Sequence, residues 1–292
     1  MKPIKILDFE NNGVCTVIDE EFIYLGSKGA ISKYQLADMS LKEHIIVNDM
    51  IKNTTYSGFW FQIHDDYIFA RDFCDLHIIQ KKNLQLLYSV RLGENASSDV
   101  CGITDFKFPI AYVKLRNSKF EIFDVNTKET AQIEVSNASS WSSCIHEDRI
   151  YYSTTNGELL ELERYTLREI RKMQLTKKMN TYSVVFHNNM LYTTSEKGFK
   201  VVDIDTFELT QYRRNVFSST EASILGIYKD AFVVVERKKI AIFDIKTLTL
   251  QNRFDFPTGY RYMRYAILKG DMVYGSDECG IYCFNLDIEH LI

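Results

Sequence analysis

The sequence predicts an all-β chain, a single seven-bladed β-propeller of four-stranded antiparallel blades with its ring closed by the N-terminal strand. Three observations predict it. A short apolar strand runs into a polar turn at Gln35, Gln80, Asp124, Glu163, Asp203, Asp244 and Asn285, and these positions are 39 to 45 residues apart. Self-similarity at that period, with only strand patterns inside each unit, reads as propeller blades. A second column of polar pairs joins two apolar strands some 16 residues earlier in each unit. The last unit, finally, is one strand short, while a strand-like stretch, Ile4-Lys5-Ile6-Leu7-Asp8-Phe9, precedes the first.

Taken in order, that opening stretch supplies the outer strand of the last blade, which leaves only short, protected sheet edges. Each unit then runs strand a, tight turn, strand b, short turn, strand c, polar turn, strand d. The a–b pairs include Glu20-Glu21, Asp65-Asp66, Glu147-Asp148, Asn188-Asn189, Lys229-Asp230 and Gly270-Asp271, and short polar pairs between β-rich runs read as two-residue hairpins. Unit three has Phe106-Lys107-Phe108-Pro109-Ile110 instead, for which a bulged or irregular hairpin is expected. The b–c turns carry glycine, as in Gly26-Ser27-Lys28-Gly29 and Thr155-Asn156-Gly157. At the c–d turns Thr127, Thr166, Thr206 and Thr247 follow the column residue by three places, where a hydroxyl can bond the turn backbone. The expectation is one domain over 1–292, with blade units near 14–47, 58–92, 101–135, 141–175, 182–214, 223–256 and 263–292, and 3–9 closing the last.

Composition sets the outer limits. A chain of 292 residues with 18 Tyr, 19 Phe and only 3 Pro can bury a sizeable core without disulfides and is not linker-like. The net charge of −4 argues against a general nucleic-acid binder. The first residues lack the apolar core of a signal peptide, no apolar run reaches the roughly 20 residues of a membrane span, and the six cysteines show no framework spacing. A cytosolic location without a membrane is the expectation. The units resemble those of seven-bladed propellers of the WD-repeat and quinoprotein-like kind across essentially the whole chain, a likeness carried by the repeat rather than by any family-specific dipeptide.

No linear catalytic motif is present. His64, His146 and His187 share one column just before the a–b turn. A repeat that tolerates His at that place accounts for them without a shared ion, since zinc needs three or four ligands at about 2 Å. Cys279 and Cys283 along one strand would stand about 13 Å apart, too far for a disulfide or common metal. The acidic pairs Asp65-Asp66 and Asp203/Asp205 sit where Asp accepts backbone hydrogen bonds in turns. No cofactor and no metal are expected.

What remains is the loops from strand d of one blade to strand a of the next, which differ from unit to unit and so can carry recognition. They place Tyr56, Phe59, Trp60, Lys177, Lys178, Arg214, Phe217, Tyr260, Arg261, Tyr262 and Arg264 on one face. Tyr, Trp and Arg anchor protein interfaces. The expected function is a non-catalytic cytosolic module that presents this d–a loop face to a protein partner, as a subunit of a complex or a neutralising, immunity-type partner. Two alternatives stand beside it: a propeller hydrolase, lyase or isomerase acting on a small molecule at the channel mouth, and a nucleic-acid binder stacking bases on the Tyr/Arg run.

Overall fold

Runs such as Tyr151-Tyr152-Ser153 and Ile240-Ala241-Ile242-Phe243 are buried on both faces, the mark of an inner strand, whereas outer strands such as Gln85–Arg91 alternate half-buried and exposed residues. A computed structural model of the chain describes residues 4–8, 15–27, 29–47, 60–72, 75–91, 100–115, 119–135, 140–177, 181–237, 239–255, 265–276 and 280–286. Its strands form seven four-stranded antiparallel sheets, the blades of a β-propeller, as predicted. Blades 1 to 6 span 15–46, 60–91, 100–134, 140–174, 181–213 and 222–255, and blade 7 spans 265–285. The N-terminal strand Ile4–Asp8 completes blade 7 by pairing with Gly280–Asn285, Ile4 opposite Cys283 and Asp8 opposite Gly280. Among the described residues no helix is long and apolar enough to cross a membrane.

The chain falls into two units. Residues 1–132 with 258–292 hold blades 7, 1, 2 and 3. There Tyr24, Ile31, Phe61, Ile68 and Ile79 pack blade 1 on blade 2, Phe69, Ile78, Phe106, Val113 and Phe123 pack blade 2 on blade 3, and Ile23, Leu25 and Ile281 pack blade 1 on blade 7. Residues 133–257 hold blades 4, 5 and 6. Tyr151, Leu159, Leu191, Val202 and Phe207 join the first two, and Phe199, Phe217, Phe232 and Phe243 join the last two.

The two repeat columns of the sequence are hydrogen-bonded to one another. The residue after each column position donates its N–H to the carbonyl of the second a–b turn residue: Leu36 to Glu21, Lys81 to Asp66, Val125 to Pro109, Arg164 to Asp148, Ile204 to Asn189, Ile245 to Asp230 and Leu286 to Asp271, at 2.6–3.1 Å. This tie places the a–b and c–d turns at the same end of every blade. Within the c–d turn, Oδ1 of Asp124, Asp203 and Asp244 accepts the backbone N–H groups two and three places further on, at 2.7–3.0 Å. The threonine hydroxyl does donate to that carboxylate at Thr206 and Thr247, and accepts from the backbone at Thr127 and Thr166. The fourth turn residue is left-handed even where it is Leu84, Leu167, Phe207 or Leu248 (φ 49–56°). That backbone costs about 1–2 kcal/mol, offset by burying the four side chains.

Blade 3 departs from expectation in one respect. Its a–b connection is a regular two-residue turn, Lys107 facing Ile110 across a cis Phe108–Pro109 bond, so the proline sits where its missing N–H is not needed by the ladder. The irregularity lies within strand a, between Val100 and Gly102 and between Ile103 and Asp105. Strand a of blades 4, 5 and 6 slips register in the same way.

Candidate interaction face

At the a–b and c–d end several charged groups are taken up within the scaffold. In the first unit, Lys33 of strand c in blade 1 is buried and donates to the carbonyls of Lys81 (3.4 Å) and Lys82 (2.9 Å) in the c–d turn of blade 2. Its ammonium lies 3.7 Å from Glu43 and 4.4 Å from the Phe22 ring centre. Tyr88 likewise donates to the carbonyl of Val125 in the c–d turn of blade 3, and Lys269 of blade 7 donates to the carbonyl of Asp19 in blade 1. A cleft of about 470 Å³ opens here, lined by Asp19, Phe22, Tyr24, Lys33, Asp66 and Lys81 among others. Burial pushes the Asp19 pKa up, but bonds from the Glu21 and Phe22 N–H groups and the Tyr24 hydroxyl, with Lys81 3.5 Å away, outweigh it and hold the carboxyl below the ordinary range.

The second unit repeats the design. A cleft of about 470 Å³ is lined by His146, Asp148, Arg149, Tyr151, Glu161, Arg171, Asn189 and Asp205, among others. Glu161, 4% exposed, is clamped by Arg149 Nε at 3.2 Å and Arg171 Nε at 2.6 Å. Arg171 also donates to the carbonyls of Ile204 and Asp205 in the next c–d turn, at 2.9 and 2.8 Å. The acidic turns therefore build the scaffold, as read from the sequence.

The column histidines separate by environment. Around His64 lie Phe69 and Phe106, with ring centres at 5.9 and 6.2 Å; its buried Nε2 has no hydrogen-bond partner. Burial lowers its pKa against the opposing charges of Asp105 and Asp65. His146 stacks on Phe186 of the next blade at 3.7 Å. Among the described residues, no group of three or more His, Cys, Asp and Glu side chains is placed to hold a metal ion. Burial pushes the thiols of Cys15 and Cys144 up to about 12, which keeps them protonated and inert. Cys279 lies outside the described residues.

Strand a carries a second set of ties that the sequence reading missed. Ser142 Oγ accepts the N–H of Val184 at 3.1 Å, and Ser183 Oγ accepts that of Ile224 at 3.1 Å. In the first unit Cys15 Sγ takes the same part toward Phe61 N–H, at 3.5 Å. At these three junctions a small polar residue clasps one inner strand to the next. The signal was legible, since Ser142 and Ser183 each stand four places before a column histidine.

The opposite end joins b–c turns to d–a connections. The b–c carbonyl of Gly29 accepts from Val47, that of Gly157 from Leu175 and Thr176, and that of Lys197 from Val216 and Phe217. All three acceptors are left-handed: Gly29 at φ 76°, Gly157 at 78° and Lys197 at 61°. Beside Lys197, a Cβ on Gly198 would stand 2.1 Å from the Arg213 carbonyl, so the glycine lets strand d run close against this turn.

Around this junction of blades 4 and 5 a polar chain is assembled. Lys200, 3% exposed, donates to the Leu175 carbonyl and to Glu196 Oε2 at 3.1 Å. Tyr212 Oη donates to the same oxygen at 2.9 Å. The Lys200 ammonium and the Arg214 guanidinium each lie 4.7 Å from the Tyr212 ring centre. Burial raises the Glu196 pKa, but the bonds from Tyr212 and Lys200 and the charges of Lys200 and Arg214 outweigh it, so it titrates below its ordinary range. Further along, Glu236 is buried against Arg253 (3.1 Å) and Ser218.

Of the residues expected on this face, Lys177 and Arg214 are exposed. Phe217 is 5% exposed, packed 4.6 Å from Phe199 and 5.4 Å from Phe243; it anchors the d–a connection from within. Trp60 begins strand a of blade 2 opposite Arg71. Tyr56, Phe59, Lys178, Tyr260, Arg261, Tyr262 and Arg264 lie outside the described residues. Lys197, exposed at the b–c turn, was not among the residues expected.

No family model matches the chain, and no curated protein matches it. Solved structures do. The WD40 domain of Neurospora crassa Pan2 aligns over 94% of this chain and 89% of its own, at 12% identity and a TM-score of 0.71. The β-propeller domain of Myceliophteria thermophila Cps50 (Swd1) aligns over 96% and 99%, at 10% identity and a TM-score of 0.68. The computationally designed Ika8 protein aligns over 96% and 99%, at 12% identity and a TM-score of 0.66. At such identities the likeness is one of fold, and by it the chain is a seven-bladed β-propeller of the WD40-like kind.

Proposed function

We propose that the chain, acting as one domain over 1–292, is a non-catalytic protein-interaction module of the cytosol that receives its partner on the d–a loop face. One observation carries this reading. At the a–b and c–d end, the same backbone ties recur from blade to blade. At the d–a end of blades 4 to 6, by contrast, the carboxylates Glu196, Glu221 and Glu236 are matched to cations within the scaffold. Lys177 and Arg214 there stay exposed and make no hydrogen bond or ion pair among the described residues. A scaffold that holds its frame constant and varies one face is suited to recognition, and the WD40-like fold is a common interaction scaffold.

The experiment is affinity capture from native cells followed by mass spectrometry, with the wild type beside Lys177→Glu/Arg214→Glu and, as a control at the other end, Asp205→Lys. A partner captured by wild type and the control and lost by the d–a variant, with an unchanged melting temperature, supports the reading. A partner lost only by the control places recognition at the turn end and overturns it.

A further inference from the structure

The d–a end of blades 4 and 5 has a charge chemistry of its own, and from it we infer that this junction docks an acidic protein segment, with Arg214 as its carboxylate receptor and Lys197 and Lys177 beside it. The inference rests on the d–a face being the interaction face and gives that face its partner class.

The first support is the state of Arg214. Its guanidinium is stacked on Tyr212, and Tyr212 is in turn pinned by its bond to Glu196. Yet the Arg214 donors make no hydrogen bond among the described residues, and the side chain is exposed. A guanidinium fixed by stacking, with its planar fork of N–H groups unused, is prepared for bidentate contact with a carboxylate, because less freedom is lost on binding. The nearby carboxylate does not satisfy it: Glu196 Oε2 already takes Lys200 and Tyr212.

Lys197 supplies the second and independent support. Its backbone does the work that Gly29 and Gly157 do in blades 1 and 4, in the same left-handed conformation. A lysine is the worse residue for that backbone. Its side chain is exposed and makes no ion pair or hydrogen bond among the described residues. The same backbone recurs at other exposed turn residues such as Lys229 and Arg237; what sets Lys197 apart is its place, its carbonyl tied to Val216 and Phe217, which follow Arg214 by two and three places. Lys177 follows Leu175, the acceptor of the Lys200 ammonium, by two.

A carboxylate-bearing segment is favoured over the phosphates of a single-stranded nucleic acid. The Tyr212 ring already carries two cations and is not open to a base, whereas such binders rely on aromatic platforms. The chain as a whole carries a net charge of −4.

The test uses the full chain and three fluorescein-labelled probes: a ten-residue peptide of alternating Asp and Glu, its Asn/Gln counterpart, and a ten-nucleotide oligothymidylate. Binding is followed by anisotropy at low and at physiological salt. The acidic peptide should bind at least tenfold more tightly than the neutral one, and Arg214→Gln should weaken it about tenfold. Lys197→Gly is the decisive variant, because it removes the charge while relieving the backbone: it should weaken the acidic peptide by threefold or more and melt no lower than wild type. No acidic-peptide binding, binding unchanged in Arg214→Gln and Lys197→Gly, or tighter binding of the oligonucleotide would overturn the inference. Partner capture lost in the d–a variant alongside any of those results would leave the interaction face standing and remove only the acidic class.

Discussion

At the scale of single residues, the inner-strand clasp is the contact whose removal reads out most directly. Ser183 Oγ serves two buried groups, accepting the Ile224 N–H and sharing a hydrogen bond with Thr194 Oγ1 at 2.9 Å. Strands a of neighbouring blades belong to different sheets, so no backbone ladder stands in when the hydroxyl goes. Ser183→Ala should leave the Ile224 N–H orphaned and cost about 1–3 kcal/mol, measured by urea unfolding, while Ser183→Cys should recover part of it, as Cys15 does in blade 1. A loss below about 0.5 kcal/mol would mean that the N–H finds another acceptor. The histidines of the next column were legible as residues of a turn, but their surroundings were not. The stack of His146 on Phe186 and the approach of His64 to Phe106 are contacts between blades, which a within-blade period cannot report.

At the scale of elements, the N-terminal strand was legible because two shortfalls matched: an unassigned strand at one end and a three-stranded unit at the other. The structure pairs them at four positions, with a bulge between Lys5 and Leu7. Removing residues 1–8 should leave Gly280–Asn285 as an unpaired edge, prone to association. With about 1 kcal/mol per lost ladder bond and about 2–4 °C per kcal/mol for a chain of this size, the melting temperature should drop by about 10 °C by differential scanning calorimetry. An unchanged value would mean that the strand adds no stability to blade 7. Turn chemistry was legible in type and not in detail. The threonine column pointed to side-chain closure of the c–d turn, but the principal acceptor is the aspartate, and the left-handed leucines that follow carry no sequence mark of their own. The d–a connections were legible only as places of difference. Phe217 shows why: an aromatic in such a loop can point inward to hold the loop or outward to meet a partner, and composition does not choose between them.

At the scale of the whole molecule, the acidic turns link fold to pH. Asp203 and Asp244 are held below the ordinary carboxylate range chiefly by the N–H of Thr206 and of Thr247. Asp19 and Glu196 are lowered too, their hydrogen bonds and neighbouring cations outweighing burial. Each of these groups is more acidic folded than unfolded, so on acidification the unfolded chain takes up protons first. Their stabilisation is therefore complete above the ordinary carboxylate values near 4 and is lost as pH falls through the folded values. His64 adds a smaller effect of the same sign at higher pH: burial lowers its pKa, so its share is complete above about 6.5 and declines below. Urea midpoints between pH 7 and 3 should thus fall gently below about 6.5 and steeply below about 4. His64→Phe should flatten the upper slope alone. Asp203→Asn/Asp244→Asn should flatten the lower one, because an amide oxygen can still accept the turn N–H groups without titrating, and an amide already stands at Asn285 in the same column. A double variant that kept the full acid loss would place the pH response elsewhere than in the turns that count the blades.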